Sequence, residues 1–323
     1  MSTTLDHLLP GATDEVRCAD HARSLAVDPG GTAIRADRVV AIATPGTWPK
    51  PALAHPLLID PVAAFGGSGV ATRVLAAHPE VDGEGSVIVF DRLGPTAVER
   101  VFAVAPDRPA ELARLAQLLA AETETGDGQV SSEFLVARHE PARPTLLLCA
   151  QGTHDVCCGA EGTRLALAMA ADPSRFGGVR VLRVSHTGGH RFAPTGMTLP
   201  DGRMWSGLSL DDVERLFTPG GELGSLVDRC RGWWGADKGH AQVAERAVLG
   251  VVGRELGSVD RSVTVDDAAA DSTVRRCVVT AGERSWVVEV AVAREIPTIA
   301  CRKPGGQPVK PGREYETVSI TER

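Results

Sequence analysis

Cys149, Cys158, His186 and His190 stand in the order C-x8-C … H-x3-H, within the stretches PTLLLCAQGTHDVCCGAEG and VRVLRVSHTGGHRF. Thiolate and imidazole are soft or borderline ligands, and four of them complete a tetrahedral zinc site or hold both irons of a [2Fe–2S] group. Cys149 closes a short apolar run with the composition of a buried strand. That places it where strand ends meet loops, the usual location of sites in α/β sheets. Cys158 opens a helical stretch, where the dipole and the N–H groups of the first turn favour a thiolate. Gly188 and Gly189 separate the two imidazoles. They favour a tight turn over one helical face, and such a turn brings both rings to one point while letting backbone N–H groups approach sulfur.

Other polar groups nearby take lesser parts. Cys157 adjoins Cys158 and is read as a packed or spare thiol, because neighbours seldom bind one centre. His154, Asp155, Gly188, Gly189 and Arg191 are candidates to surround the ligands rather than to be ligands. Cys18, Cys230, Cys277 and Cys301 show no partner in the sequence and are expected to pack.

Spacing leaves the metal open. H-x3-H suits zinc, but C-x8-C followed by 27 residues is neither zinc-finger nor zinc-ribbon spacing. The C-x2-C and C-x4-C patterns of ferredoxins are absent, which excludes a four-cysteine cluster. A thiol oxidoreductase using Cys157 and Cys158 is disfavoured, since they are not C-x-x-C and a disulfide between adjacent residues is strained.

The elements that must position these residues follow from periodicity. Val39–Ala43, Val87–Phe90 and Val101–Val104 are continuous apolar runs of the buried-strand type. Leu112, Leu115, Leu118 and Leu119 recur with helical spacing after Pro109, which suits a first turn. TETGDGQVSSE has no periodicity and reads as a linker. A second unit then runs strand (TLLLCA), helix (from Cys158), strand (FGGVRVLRVSH), hairpin (bent at Pro200-Asp201-Gly202) and helix (SLDDVERLF, capped by Ser209). Beyond it come an amphipathic helix, KGHAQVAERAVLGVVGREL, and an antiparallel meander in RSVTVDD, TVRRCVVTAG and SWVVEVAVAR. A Pro/Gly-rich loop then leads to a last strand. The expected organisation is an N-terminal α/β domain over 1–135, a second α/β domain carrying the ligands over 136–220, and a helix with a meander over 221–323. No repeat with a period of 20–50 residues stands out.

Composition narrows the function. With 323 residues, 43% hydrophobic and 23% charged, the chain is long enough for two domains with ordinary cores, and at 4% aromatics Ala, Val and Leu must fill them. A net charge of -7 without a basic tail or stripe argues against nucleic acid. The longest apolar runs are far too short to span a bilayer. The first residues resemble no targeting segment, and seven irregularly spaced cysteines do not form a disulfide framework, so a reducing cytoplasm is expected. GGSGVATR near Gly66 lacks the Lys-Ser/Thr of a phosphate-binding loop and does not fit G-x-G-x-x-G after a strand.

CAQGTHDVCCG and SHTGGHRFAPTGMTLPDGRMW resemble the sucrase/ferredoxin-like proteins, a branch of the thioredoxin-like ferredoxins. The match is specific over residues 145–205 and looser around GGTAIRADRVVAIATPGTWP. The resemblance implies a thioredoxin-like domain and a [2Fe–2S] cluster held by Cys149, Cys158, His186 and His190. It also implies an electron carrier that exchanges electrons with a partner protein. The family usually has Arg where this chain has His154. No carboxylate pair can be placed on a sugar site, so hydrolysis has no support. Two ferric ions, two sulfides, two thiolates and two neutral imidazoles sum to zero, so such a centre takes an electron more easily than a four-thiolate one. Reduction is also expected to take up a proton if the remote imidazole nitrogens reach water. Between residues 141 and 205 seven arginines (143, 164, 175, 180, 183, 191, 203) face four acids, a basic stretch that reads either as a patch for an acidic partner or the reduced cluster, or as plain solvated surface. A zinc-binding scaffold with the same four ligands is the alternative reading.

Overall fold

Most of the aliphatic runs form strands in the computed structural model, which describes residues 5–79, 86–105, 108–122, 133–153, 156–266 and 273–323. In chain order the first elements are α1 (Cys18–Ser24), β1 (Arg38–Ala43), α2 (Ile59–Gly66), β2 (Thr72–Ala77), β3 (Val87–Leu93), β4 (Thr96–Phe102), α3 (Pro109–Ala121) and β5 (Leu135–His139). Next come β6 (Thr145–Cys149), α4 (Thr163–Ala170), α5 (Pro173–Phe176), β7 (Arg180–Val184), β8 (Gly196–Leu199), β9 (Arg203–Trp205), α6 (Leu210–Phe217) and β10 (Cys230–Trp233). The chain ends with α7 (His240–Val252), β11 (Arg261–Val265), β12 (Val274–Ala281), β13 (Arg284–Thr298) and β14 (Lys310–Glu322).

Ten strands form one mixed sheet in the order β10-β9-β8-β6-β7-β2-β1-β3-β4-β5. It contains one arrangement twice. In each half a helix links two parallel strands, β1–α2–β2 and β6–α4–β7. The first strand of each pair then accepts an antiparallel hairpin, β3–β4 or β8–β9. A helix follows, α3 or α6, and a last antiparallel strand, β5 or β10, closes the edge. The halves join where β2 meets β7 at Ala77 and Val184. Around that point Ser185 N–H donates to Ala76 O, and His78 N–H to Arg183 O. The strand–helix–strand–hairpin–helix order expected of the ligand-bearing unit is thus present in both halves, and the fold is the mixed α/β class read from the sequence.

The expected linker, residues 123–133, lies outside the described residues except for its last position. The line drawn at 135/136 falls at the start of β5 and the line at 220/221 falls ahead of β10, and both strands belong to the ten-stranded sheet. β11 to β14 form a separate antiparallel meander. Helix α7 joins the two sheets: Val243, Ala244, Val248 and Leu249 share one core with Leu146, Trp205, Val279, Trp286 and Val288. Its buried Glu245 receives Arg203 of β9 at 2.6 Å and Arg261 of β11 at 3.1 Å. Buried charges persist only when paired in this way. The same logic holds Glu99 of β4 against Arg143 at 2.8 Å and Arg180 of β7 at 2.7 Å, which ties one half to the other.

Candidate metal centre

The loop after β6 carries the first two thiols. Cys149 is buried at the strand end, and its N–H donates to Thr195 O at 3.0 Å. The chain then folds back tightly enough to require glycine. A Cβ on Gly162 would lie 2.0 Å from Cys149 O, and one on Gly159 would lie 2.2 Å from the Cα of Gly152. Cys158 opens a π-helical turn, Cys158–Gly162, that runs into α4. Such widened turns are frequent at functional sites. From the other half, Pro49 O accepts the Gln151 amide at 3.1 Å and Trp48 O accepts the Thr153 hydroxyl at 2.8 Å. The β1–α2 loop therefore holds the ligand loop in place.

Cys149 is primed to be a thiolate. A hydrogen bond from the Cys158 side chain pulls its pKa well below the ordinary thiol value, against the upward push of burial. The His186 side chain and the Thr187 N–H add to the pull. The two imidazoles come from the turn after β7, where Gly188 (φ +80°) and Gly189 (φ +66°) adopt the left-handed conformation. Their ring centroids lie 5.8 Å apart and both are half-buried, whereas both thiols are fully buried. Cys158 Sγ lies 4.0 Å from His190 O. Cys149 thus has Cys158 and His186 side chains as neighbours, and His190 stands beside His186, with the thiols buried and the rings half-buried.

A guanidinium stands behind these residues. Arg231 of β10 is fully buried, and a Cβ on Gly189 would meet its Cζ at 2.5 Å. It donates to Thr32 Oγ1 at 3.1 Å, Thr32 O at 2.5 Å and Gly188 O at 3.1 Å, all neutral acceptors. Burial pushes its pKa down to about 10, and negative charge on the nearby cysteines, Cys149 first, opposes that push. Arg73 of β2 is similar: it donates to His186 O at 2.7 Å, burial lowers its pKa, and Cys149 is the charge that resists. Sequence reasoning missed both arginines, because nothing in their local pattern distinguishes them from strand residues on a polar face.

The remaining candidates separate. His154 and Asp155 lie outside the described residues. Cys157 does not share a direction with Cys158; its Sγ lies 3.8 Å from Cys301 Sγ. Cys18 and Cys157 pack into one buried cluster and Cys301 packs against it, as expected, but packing also brings their sulfurs together. All three sulfurs lie within 4.8 Å of one another, and His190 Nδ1 lies 3.3 Å from Cys18 Sγ. Residues 18 and 301 have no local pattern that predicts this, because tertiary folding alone unites them. His190 Nδ1 therefore faces a thiol. Arg191 is mostly buried and reaches Thr298 of β13. Of the seven arginines in the basic stretch, Arg143 and Arg180 pair with Glu99, Arg175 with Asp211 and Glu214, and Arg203 with Glu245.

The fold is that of a mixed α/β protein, and three of its cysteines, Cys18, Cys157 and Cys301, could hold a metal ion. Comparison with protein families matches residues 30–232 to Suc_Fer-like, the sucrase/ferredoxin-like family, and the chain belongs to it. No curated protein and no solved structure matches the chain. Among the described residues no helix is long and apolar enough to cross a membrane.

Proposed function

We propose that the chain is a one-electron carrier that holds a [2Fe–2S] group through Cys149, Cys158, His186 and His190. The observation that carries this reading is Arg231. A fully buried guanidinium hydrogen-bonded only to neutral oxygens is costly unless negative charge stands close by. Cys149 and Cys158 supply that charge as thiolates, and an added electron supplies more.

The residues present fit the group. The donor set combines two thiols with two imidazoles, and the inner thiol is already biased toward the anion that metal binding requires. When bound, the [2Fe–2S] group would supply reversible one-electron exchange. The chain does the rest. Buried Cys149 and Cys158 keep water from the inner side, while Arg231 and Arg73 favour added negative charge and so raise the potential. The half-buried rings of His186 and His190 give a short route to the surface, where a redox partner protein docks.

His186→Cys tests the assignment. Replacing a neutral imidazole by a thiolate adds one negative charge to the centre, so the potential falls. An unchanged visible spectrum and potential would remove His186 from the ligand set.

A further inference from the structure

We infer that Cys18, Cys157 and Cys301 form a second metal site, a three-thiolate site for Zn2+ that fastens both ends of the chain to the ligand loop. The three residues come from remote segments: the first position of α1, the residue before the π-helical turn, and the turn after β13. Their sulfurs lie within 4.8 Å of one another, with Cys157 and Cys301 at 3.8 Å. In a tetrahedral zinc site with Zn–S bonds of about 2.3 Å, neighbouring sulfurs stand roughly 3.8 Å apart. Only a small contraction is needed.

The surroundings select the ion. Cys18 and Cys157 are buried, Cys301 is half-buried, and they share one apolar cluster with Ala19, Ala193, Ile299 and the thiols of Cys149 and Cys158. Among the described residues no carboxylate joins the group, and an all-sulfur set favours zinc over magnesium or calcium. His190 is not part of the three-sulfur group and belongs to the other centre, so a water would complete the tetrahedron.

The backbone presents the thiols deliberately. Arg302 N–H donates to Val16 O at 2.9 Å and Gly305 N–H to Asp14 O at 3.1 Å, so the two terminal segments are already side by side. Arg302 itself has φ +53°, a left-handed conformation that a residue with a Cβ rarely adopts. Strain of this kind persists where the surrounding structure imposes it, and here it turns the chain directly after Cys301. Zinc binding would release the thiol protons to solvent, with no change of oxidation state. The ion would join α1 and the β13–β14 turn to the residue next to Cys158, giving the ligand loop a fixed base.

The site stands independently of the [2Fe–2S] reading, and one experiment separates the two. The full chain carrying Cys149→Ser and Cys158→Ser is purified anaerobically and titrated with Co2+ as a spectroscopic probe. The proposal expects roughly one tightly bound cobalt with sulfur-to-metal charge-transfer bands and tetrahedral ligand-field intensity. Adding Cys301→Ser, or Cys18→Ser, abolishes both. Absence of cobalt uptake by a folded double variant, or uptake indifferent to Cys301, overturns the site. If the double variant does not fold, zinc and iron are measured in the otherwise native chain with and without Cys301→Ser. Loss of zinc with iron retained supports the site. Zinc that is absent from, or unchanged between, the two proteins overturns it, as does a Cys157–Cys301 disulfide in the anaerobic protein. Iron and sulfide content reports on the other centre alone.

Discussion

Replacing Arg231 by Met removes a full positive charge from behind the proposed ligands while keeping the volume filled. The guanidinium touches Gly188 and the space above Gly189, two of the three residues between the imidazoles. A unit charge about 6 Å away, at an effective dielectric of about 20, contributes about 3 kcal/mol. For one electron about 1.4 kcal/mol corresponds to about 59 mV, so the full effect is about 120 mV. The half-buried imidazoles admit some solvent, and screening of about half leaves a fall of at least about 60 mV. The assay is a spectroscopically monitored redox titration of wild type, Arg231→Met and Arg231→Lys. Lysine keeps the charge but loses the fork of hydrogen bonds to Thr32 and Gly188, so it restores most of the potential if charge is the cause. Arg175→Met is the control, because that side chain is paired at the surface with Asp211 and Glu214. A potential that does not move in Arg231→Met, or that moves as far in Arg231→Lys, would refute the electrostatic reasoning.

Two further outcomes test the architecture around the centre. Gly189→Ala places a methyl group in a left-handed conformation and within 2.5 Å of the Arg231 carbon, so it costs at least about 1–2 kcal/mol and lowers the melting temperature by several degrees. A thermal melt checks this. Glu99 links the two halves through Arg143 and Arg180; burial raises its pKa, but those hydrogen bonds outweigh it and hold the group below 4.5. Its stabilising effect is therefore complete above pH 4.5 and is lost as the pH falls through the lowered value. Urea unfolding of Glu99→Gln should show a loss of about 3–5 kcal/mol near pH 7, narrowing toward zero in acid.

The ligand-bearing unit was the most legible part of the sequence. Its strands are short aliphatic runs, its hairpin bends at Asp201-Gly202, and Ser209 forms a reciprocal cap with Asp212 that fixes the start of α6. The meander was equally plain from its alternation. The first half was read only in part. β2, TRVLAA, begins with polar residues, and α2 carries Pro61 inside its first turn, so neither shows a clean period. The duplication escaped for a related reason. The halves share topology without sharing a motif, since His78 and Trp48 stack at 4.3 Å near the end of β2 where the second half has its imidazoles. Within the site, residues close in sequence could be grouped by spacing, as Cys149 was with Cys158. Arg231 and the Cys18–Cys157–Cys301 group could not, because contacts across more than a hundred residues leave no periodic trace in one chain.

The central claim is that thiols at 149 and 158 and imidazoles at 186 and 190 bind one two-iron centre. Anaerobic purification with iron and acid-labile sulfide analysis, combined with nitrogen hyperfine spectroscopy of the reduced protein, tests it most directly. The account predicts a red-brown protein with about two irons and two sulfides per chain and nitrogen coupling to the centre, all lost in Cys149→Ser. A colourless protein carrying zinc at these four residues, or an iron–sulfur centre without nitrogen coupling, would contradict it.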